Sequence, residues 1–336
     1  MNTTFSPWRF CVAPMMDWTD RHCRFFHRQL SKHARLYTEM VTTPALMHGN
    51  VPRHLDFDEA EHPVALQLGG SETDELAHCA KLAAQWGYDE VNLNCGCPSE
   101  RVQRGAFGAC LMAEPLLVRD CVKAMVDALG SVGHASIPVT VKHRIGIDKA
   151  DSYAFVRDFV GTVSDGGAQV FVVHARSAWL KGLSPKENRE IPPLRYDFTA
   201  QLKRDFPQFT FVLNGGIAQH AEAAAHVATV DGVMVGRHAY HEPWSLHDVD
   251  AHFFGAAPAA QSRYDVVDAM HAYAQRETAR GVPLRAITRH MLGLFQGMPG
   301  ARAWRRMLSD STRLARNDPG LLLDAAQQTR PVRLAA

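Results

Sequence analysis

The sequence predicts an eight-stranded (β/α)8 barrel followed by a small all-helical domain, on three observations. Eight short β-rich apolar runs recur through the first 240 residues, helical patterns lie between most of them, and the strand signal stops after Pro243. The runs are FCVAP (10–14), LYTEMV (36–41), VALQLG (64–69), VNLNC (91–95), VTVKHRIG (139–146), VFVVHA (170–175), FTFVLNG (209–215) and GVMVGR (232–237). Several are nearly continuous in Val, Ile, Leu and Phe, as befits parallel strands covered on both faces. Between them, residues 73–87 set Leu76, Ala80, Ala83 and Ala84 at helical spacing, with Ser71 as the expected N-cap and Gly87 as the stop. Segments 115–129, 151–164 and 218–228 read the same way. An open doubly wound sheet would carry a G-x-G-x-x-G turn after an early strand, and the chain has none.

Beyond the last strand, helical segments are expected at 263–280, 284–294, 300–314 and 318–328, broken at Gly281-Val282-Pro283, Gly297-Met298-Pro299-Gly300 and Pro319-Gly320. The small-residue stretch from Gly255 to Ala260 reads as a linker, so the expected division is a barrel over 1–252 and a helical domain over 253–336. With 46% hydrophobic and 21% charged residues, the chain has the composition of a soluble globular protein. It contains no run of eighteen apolar residues that would span a membrane. Its opening, MNTTFSPWRF, lacks the basic and apolar regions of a secretory signal, and a cytoplasmic protein is expected. Seven cysteines, all within the first 121 residues and without a repeated framework, read as reduced thiols.

The net charge of +1 conceals an asymmetry. From Ala256 to Ala336 there are twelve arginines, no lysine and six acidic residues, 12 − 6 = +6, which leaves 1 − 6 = −5 for the rest. A basic part on an acidic body implies an anionic partner for the basic part, and nucleic acid binds chiefly through phosphate charge.

In this fold the chemistry lies at the C-terminal ends of the strands. Those ends supply Pro14-Met15-Met16, Glu39, Gln67, Asn94 with Cys97, Lys142 with Arg144, His174, Asn214-Gly215-Gly216 and Gly236-Arg237. Any one of them suits an ordinary loop; eight on a single expected rim is harder to assign to chance. The glycines after strands seven and eight let backbone approach a phosphate, and Arg237 adds charge where this fold usually binds phosphate. A buried strand lysine needs an acceptor, so Lys142 is expected to face either a rim carboxylate such as Glu39 or, with His174, the pyrimidine end of a flavin. Asn94-Cys95-Gly96-Cys97-Pro98 would hold a thiol over the barrel mouth. Two cysteines one residue apart make neither a zinc site nor an unstrained disulfide, so no metal is expected. A cysteine thiol is mostly protonated near neutral pH, which suits Cys97 to proton donation.

These motifs together resemble the bacterial tRNA-dihydrouridine synthases, specifically their A-type subfamily, from about Cys11 to Leu308. The resemblance rests on APMMDWTD (13–20), YTEM (37–40), LQLG (66–69), NLNCGCPS (92–99), FGACLM (107–112), VKHRIG (141–146), HAR (174–176), WLKGLSPKENR (179–189), NGG (214–216) and GLFQGMPGARAWRR (293–306). Cys95 departs from it, standing where the family commonly has a simple apolar residue. The resemblance implies FMN bound by Pro14, Met15, Met16, Gln67, Lys142, His174, Asn214, Gly215, Gly216, Gly236 and Arg237, with NADPH as reductant. It implies that hydride passes from flavin N5 to C6 of a flipped-out uridine in the tRNA D-loop, at positions 20 and 20a, while Cys97 protonates C5 as catalytic acid. Asn94 and Arg144 would hold the uracil or nearby backbone, and a splayed-out loop base suits such a pocket.

Arg302, Arg305 and Arg306 share a helix face by i, i+3, i+4 spacing, with Arg313 and Arg316 expected to continue near it and Arg285 and Arg289 forming another pair. They are expected to meet the tRNA elbow, as are Arg176, Trp179, Lys181, Ser184 and Lys186 of the 176–189 loop. The expected form is a monomer. A small-molecule FMN oxidoreductase of the dihydroorotate dehydrogenase kind, or a non-catalytic tRNA-binding protein on the same fold, are the alternatives; the first has no need of a +6 helical domain.

Overall fold

Strands so rich in β-branched and aromatic residues stay in water's reach only if nothing covers them, and here both faces are covered. In the computed structural model, which describes residues 5–99 and 105–330, eight parallel strands close into a barrel in sequence order. They are β1 Phe10–Val12, β2 Arg35–Thr42, β3 Val64–Gly69, β4 Glu90–Cys95, β5 Val139–Arg144, β6 Val170–His174, β7 Thr210–Asn214 and β8 Gly232–Val235. All eight lie where the apolar runs place them. Helices Thr73–Gln85, Pro115–Ser131, Tyr153–Ser164, Tyr196–Asp205 and His220–Val227 alternate with the strands. The first of these starts at Thr73 as expected, but Glu72, not Ser71, is the N-cap, and it makes no side-chain cap bond. Gly87 follows that helix at φ +84°, a conformation costly for any residue with a Cβ.

Alternation along each strand sends one set of side chains into the barrel and the other toward the helices. The outward set, including Leu66, Leu68, Val91, Leu93, Val141, Phe171 and Val173, merges with helix residues such as Leu76, Val118, Met125 and Phe159 into one buried cluster. The inward set is divided. Cys11, Val170, Val172, Val212 and Met234 form an apolar half, whereas β3, β4 and β5 turn Gln67, Asn92, Asn94 and Thr140 toward one another in a buried polar half.

The chain divides into two compact units, residues 1–16 with 35–236, and residues 17–34 with 237–336. The division therefore falls after Gly236 rather than at 252, and the second unit reclaims a segment between β1 and β2. That segment holds the helix Arg21–Leu30, which is not among the expected helices and whose N-cap Asp20 accepts from the His22 and Cys23 amides. It belongs with the C-terminal helices because of contacts far apart in sequence. Arg21 bonds the buried Glu277 at 2.6 Å, and His22 Nδ1 meets the Tyr273 hydroxyl at 2.7 Å. Helices Arg263–Ala279, Leu284–Thr288, Ala301–Leu308, Ser311–Leu314 and Leu321–Gln327 complete the unit. The expected 300–314 helix is broken because Asp310 accepts from the Thr312 and Arg313 amides and so begins a new turn. No helix among the described residues is long and apolar enough to cross a membrane.

Candidate active site at the carboxyl rim of the barrel

The rim is built from the ends of β4 and β5 outward. Past β4 the chain turns sharply because the Asn94 side-chain oxygen accepts from the amides of Gly96, at 3.1 Å, and Cys97, at 3.0 Å. A further bond from the Ala109 amide to the Cys97 carbonyl, 2.9 Å, ties the turn down. Cys97 is half-buried, its sulfur 3.6 Å from the Ser99 hydroxyl. Cys95 points the other way, into the layer under the helices, where burial holds its thiol well above the ordinary range. All seven cysteines are free thiols. No group of three or more His, Cys, Asp or Glu set to hold a metal ion occurs among the described residues.

Lys142 sits beside Asn94 in register, and Arg144 beside His174, which in turn pairs with Asn214. No side chain among the described residues bonds or ion-pairs with the Lys142 ammonium, so the Glu39 alternative is not what the structure holds. Burial, together with the nearby Arg144 guanidinium, lowers Lys142 from 10.5 to about 7, partly offset by Cys97. Burial likewise keeps His174 well below its ordinary value, and the cations Arg144, Lys142, Arg176 and Arg189 act in the same direction. The result is a neutral imidazole and, on the neighbouring strand, an ammonium with no anionic partner among the described residues, an arrangement suited to an electron-rich acceptor.

Across the rim, Gly215 and Gly216 have φ of +116° and +75°. A Cβ on Gly215 would stand 2.9 Å from His174 Cδ2, and one on Gly216 would stand 2.8 Å from Leu194 Cδ1. Only glycine fits this turn. Asn214 reaches across to β8, donating to the Met234 carbonyl at 2.7 Å, and the helix that follows begins only at His220. Gly236 ends the barrel unit and Arg237 opens the short helix Arg237–His241 of the other unit. Pro14 and Met15 are half-buried after β1, whereas Met16 is 55% exposed. Gln67 is buried, its amide bonded to Asn92 and Asn94.

Two residues expected to touch substrate, Asn94 and Arg144, also hold loops. Besides the turn, Asn94 donates to the Gln67 oxygen at 2.9 Å. Arg144 donates from Nε to the Gly96 carbonyl, 3.1 Å, and from Nη1 to the Asn188 carbonyl, 2.9 Å, and so joins the Cys97 turn to the 176–189 loop. Asn188, missed in the sequence, is the centre of that loop. Its buried amide accepts from the Trp179 N–H, 2.7 Å, and donates to the Trp179 and Leu183 carbonyls. Around it Trp179, Lys181, Ser184 and Lys186 are exposed, while the half-buried Arg176 donates to the Pro192 carbonyl. Asn188→Ala should leave those backbone groups unpaired, at about 1–3 kcal/mol. Limited trypsin digestion is expected to cut faster at Lys181 and Lys186 in that variant; an unchanged cleavage pattern would refute the role assigned to Asn188.

In the helical unit, Trp304 and Leu308 turn inward, and Arg302, Arg305 and Arg306 are exposed on the opposite side of Ala301–Leu308. Arg305 also bonds the Gln296 oxygen at 2.5 Å. Arg313 and Arg316 are exposed but lie beyond the helix break, and Arg289 is paired with Asp20 at 2.6 Å.

Residues 11–330 match the dihydrouridine synthase (Dus) family. The chain is 59% identical over 319 residues to a tRNA-dihydrouridine(20/20a) synthase of Salmonella typhimurium, covering 95% of this chain and 94% of that one. It is also 59% identical over 318 residues to a protein of the same name from Pseudomonas syringae, covering 95% and 93%. Among solved structures, an old yellow enzyme homologue from Zymomonas mobilis superposes with a TM-score of 0.50 at 12% identity, over 77% of this chain and 91% of that one, a likeness of fold. A half-buried thiol and a buried lysine share one barrel rim, in a sequence matched to this family over residues 11–330 and 59% identical to two of its members, and the chain belongs to the dihydrouridine synthase family.

Proposed function

We propose that this chain is an FMN-dependent enzyme that reduces the C5–C6 double bond of uridine in the D-loop of tRNA, at positions 20 and 20a, with NADPH as the electron source. The observation that carries the reading is the buried Lys142 ammonium, without a partner among the described residues, in register with the Asn94 turn that presents Cys97. Names of the similar proteins support the substrate, and the excess of arginine beyond residue 256 supports a nucleic-acid partner.

The rim residues fit a flavin phosphate. Lys142 has no acceptor among the described residues, His174 is neutral, and the Gly215-Gly216 turn leaves no room for a Cβ. Lys142 and His174 would face the electron-rich end of the ring, with Gln67 and the segment Pro14 to Met16 lining it. Gly215, Gly216 and Gly236 would hold the phosphate, with Asn214 setting the turn. When bound, the reduced cofactor supplies hydride to C6 of the uracil. The chain's own part is to deliver the proton: Cys97 Sγ–H gives it to C5, so that one hydride and one proton saturate the bond. Arg144 acts by holding the Gly96 carbonyl, and Asn94 by holding the Gly96 and Cys97 amides, so both keep the thiol in place.

Mapping dihydrouridine in tRNA from cells lacking this protein tests the reading, with loss expected at positions 20 and 20a alone. Intact dihydrouridine there, or a purified protein that cannot be reconstituted with FMN, would overturn it. The arginines are tested separately. Replacing Arg302 and Arg305 together by Glu should weaken tRNA binding and reduce the slope of log affinity against log salt by roughly 1 for each phosphate no longer neutralised. Flavin reduction by NADPH should be unaffected; an unchanged salt slope would remove these two residues from the interface.

A further inference from the structure

One chain of hydrogen bonds runs from the floor of the barrel to the Cys97 turn, and its direction is forced at both ends. At the floor lies Glu90, fully buried in β4. Its Oε2 accepts from Trp8 Nε1 at 2.7 Å and Arg35 Nη1 at 3.2 Å; its Oε1 accepts from the Tyr37 hydroxyl at 2.8 Å and the Thr140 hydroxyl at 2.5 Å. A carboxylate only accepts, so Thr140 must donate to it. The Thr140 oxygen is then left to accept from Asn92 Nδ2, at 2.7 Å. That places Asn92 Oδ1 toward Gln67 Nε2, at 2.7 Å, and Gln67 Oε1 toward Asn94 Nδ2, at 2.9 Å. Asn94 Oδ1 thereby faces the Gly96 and Cys97 amides, which only donate.

Three carboxamides, each able to flip, are thus held in one orientation from both ends, and the two ends agree. Reversing the chain would aim the Asn94 amino group at two N–H donors and dissolve the turn. We infer that the buried Glu90 carboxylate, acting through Thr140, is a positioning element for uridine reduction: it sets the hydrogen-bond polarity that holds Asn94, and through it Cys97, in place. This rests on the function proposed above only for what Cys97 does, not for how Cys97 is held.

Thr140→Val cuts the chain with little change in shape, and Thr140→Ser restores it. In the valine variant, backbone hydrogen exchange at Gly96 and Cys97 should quicken roughly tenfold. With the FMN-loaded protein, uridine reduction should slow on the order of ten- to a hundredfold while flavin reduction by NADPH changes little. The serine variant should return both readings to the wild-type level. Glu90→Gln is the complementary test. Its amide oxygen must stay toward Trp8 and Arg35, so its amino group faces Thr140 and favours the reversed chain, and the same quickening at Gly96 and Cys97 is expected. Should the valine variant not fold, the exchange rates in Glu90→Gln and Thr140→Ser decide alone. Unchanged exchange at Gly96 and Cys97 in Thr140→Val or Glu90→Gln overturns the inference, as does a serine variant as impaired as the valine one. Exchange is measured without substrate. A wild-type protein with a protected turn but no action on uridine would therefore refute the proposed function and leave the relay standing.

Discussion

Cys97→Ala is expected to lower the rate of dihydrouridine formation by about 10²–10⁴-fold, the usual worth of a positioned general acid, while the protein keeps its flavin and its tRNA affinity. The size follows from what remains when the thiol is gone. The turn is held by the Gly96 and Cys97 amides to Asn94, the Cys97 carbonyl to Ala109 and the Gly96 carbonyl to Arg144. The Cys97 side chain adds a long contact to the Ser99 hydroxyl, so truncating it removes a proton and leaves the loop. No second thiol is placed to substitute. Cys95 lies under the helices, and the Cys110 thiol donates to the Phe107 carbonyl at 3.0 Å while burial raises its pKa. Cys110→Ala is therefore the matched control and should keep near-normal turnover. Single-turnover measurement on preloaded, reduced protein isolates the step; full activity of Cys97→Ala in that assay would reject the proton-donor role.

What the sequence reveals and what it hides differ by physical cause. Parallel barrel strands are covered on both faces, so their apolar runs are dense and all eight are recognisable, together with the polar residues that end them. Helix Arg21–Leu30 is invisible as part of the helical unit because its ties run to Glu277 and Tyr273, some 250 residues away. A division at 252 follows composition at a small-residue stretch, whereas packing divides the chain at Gly236. Asn94 and Arg144 are legible as rim residues but not as loop clamps, since a sequence gives position on a strand and not the partner of an amide. Glu90, Asn92 and Asn94 alternate with Val91, Leu93 and Cys95, and Thr140, Lys142 and Arg144 alternate in β5, so polar residues share a face in two neighbouring strands. In a barrel interior, that pattern announces a buried network.

Lys142→Met should divide stability from function. An ammonium held near neutral pH in a buried site, with no anion among the described residues, is a cost to the protein lacking a cofactor. Because its pKa falls from 10.5 in the unfolded chain to about 7 in the folded one, the unfolded chain binds more protons between those values. Folding is then least favoured by this group below about pH 7, and the cost fades as pH rises toward 10.5. Methionine fills similar space without the charge, so cofactor-free Lys142→Met should be more stable than wild type by about 1 kcal/mol at pH 7. That advantage should shrink at pH 9, as read by urea denaturation at the two pH values. On the proposed site the same substitution would also remove a charge-assisted hydrogen bond to the flavin, worth about 1.5–3 kcal/mol, and a roughly ten- to hundredfold loss of FMN affinity on reconstitution is expected. A variant less stable than wild type at pH 7, or one that binds FMN equally well, would show that Lys142 is supported by the fold itself. A gain in one measurement and a loss in the other would mean that the fold carries this charge for a partner it does not itself contain.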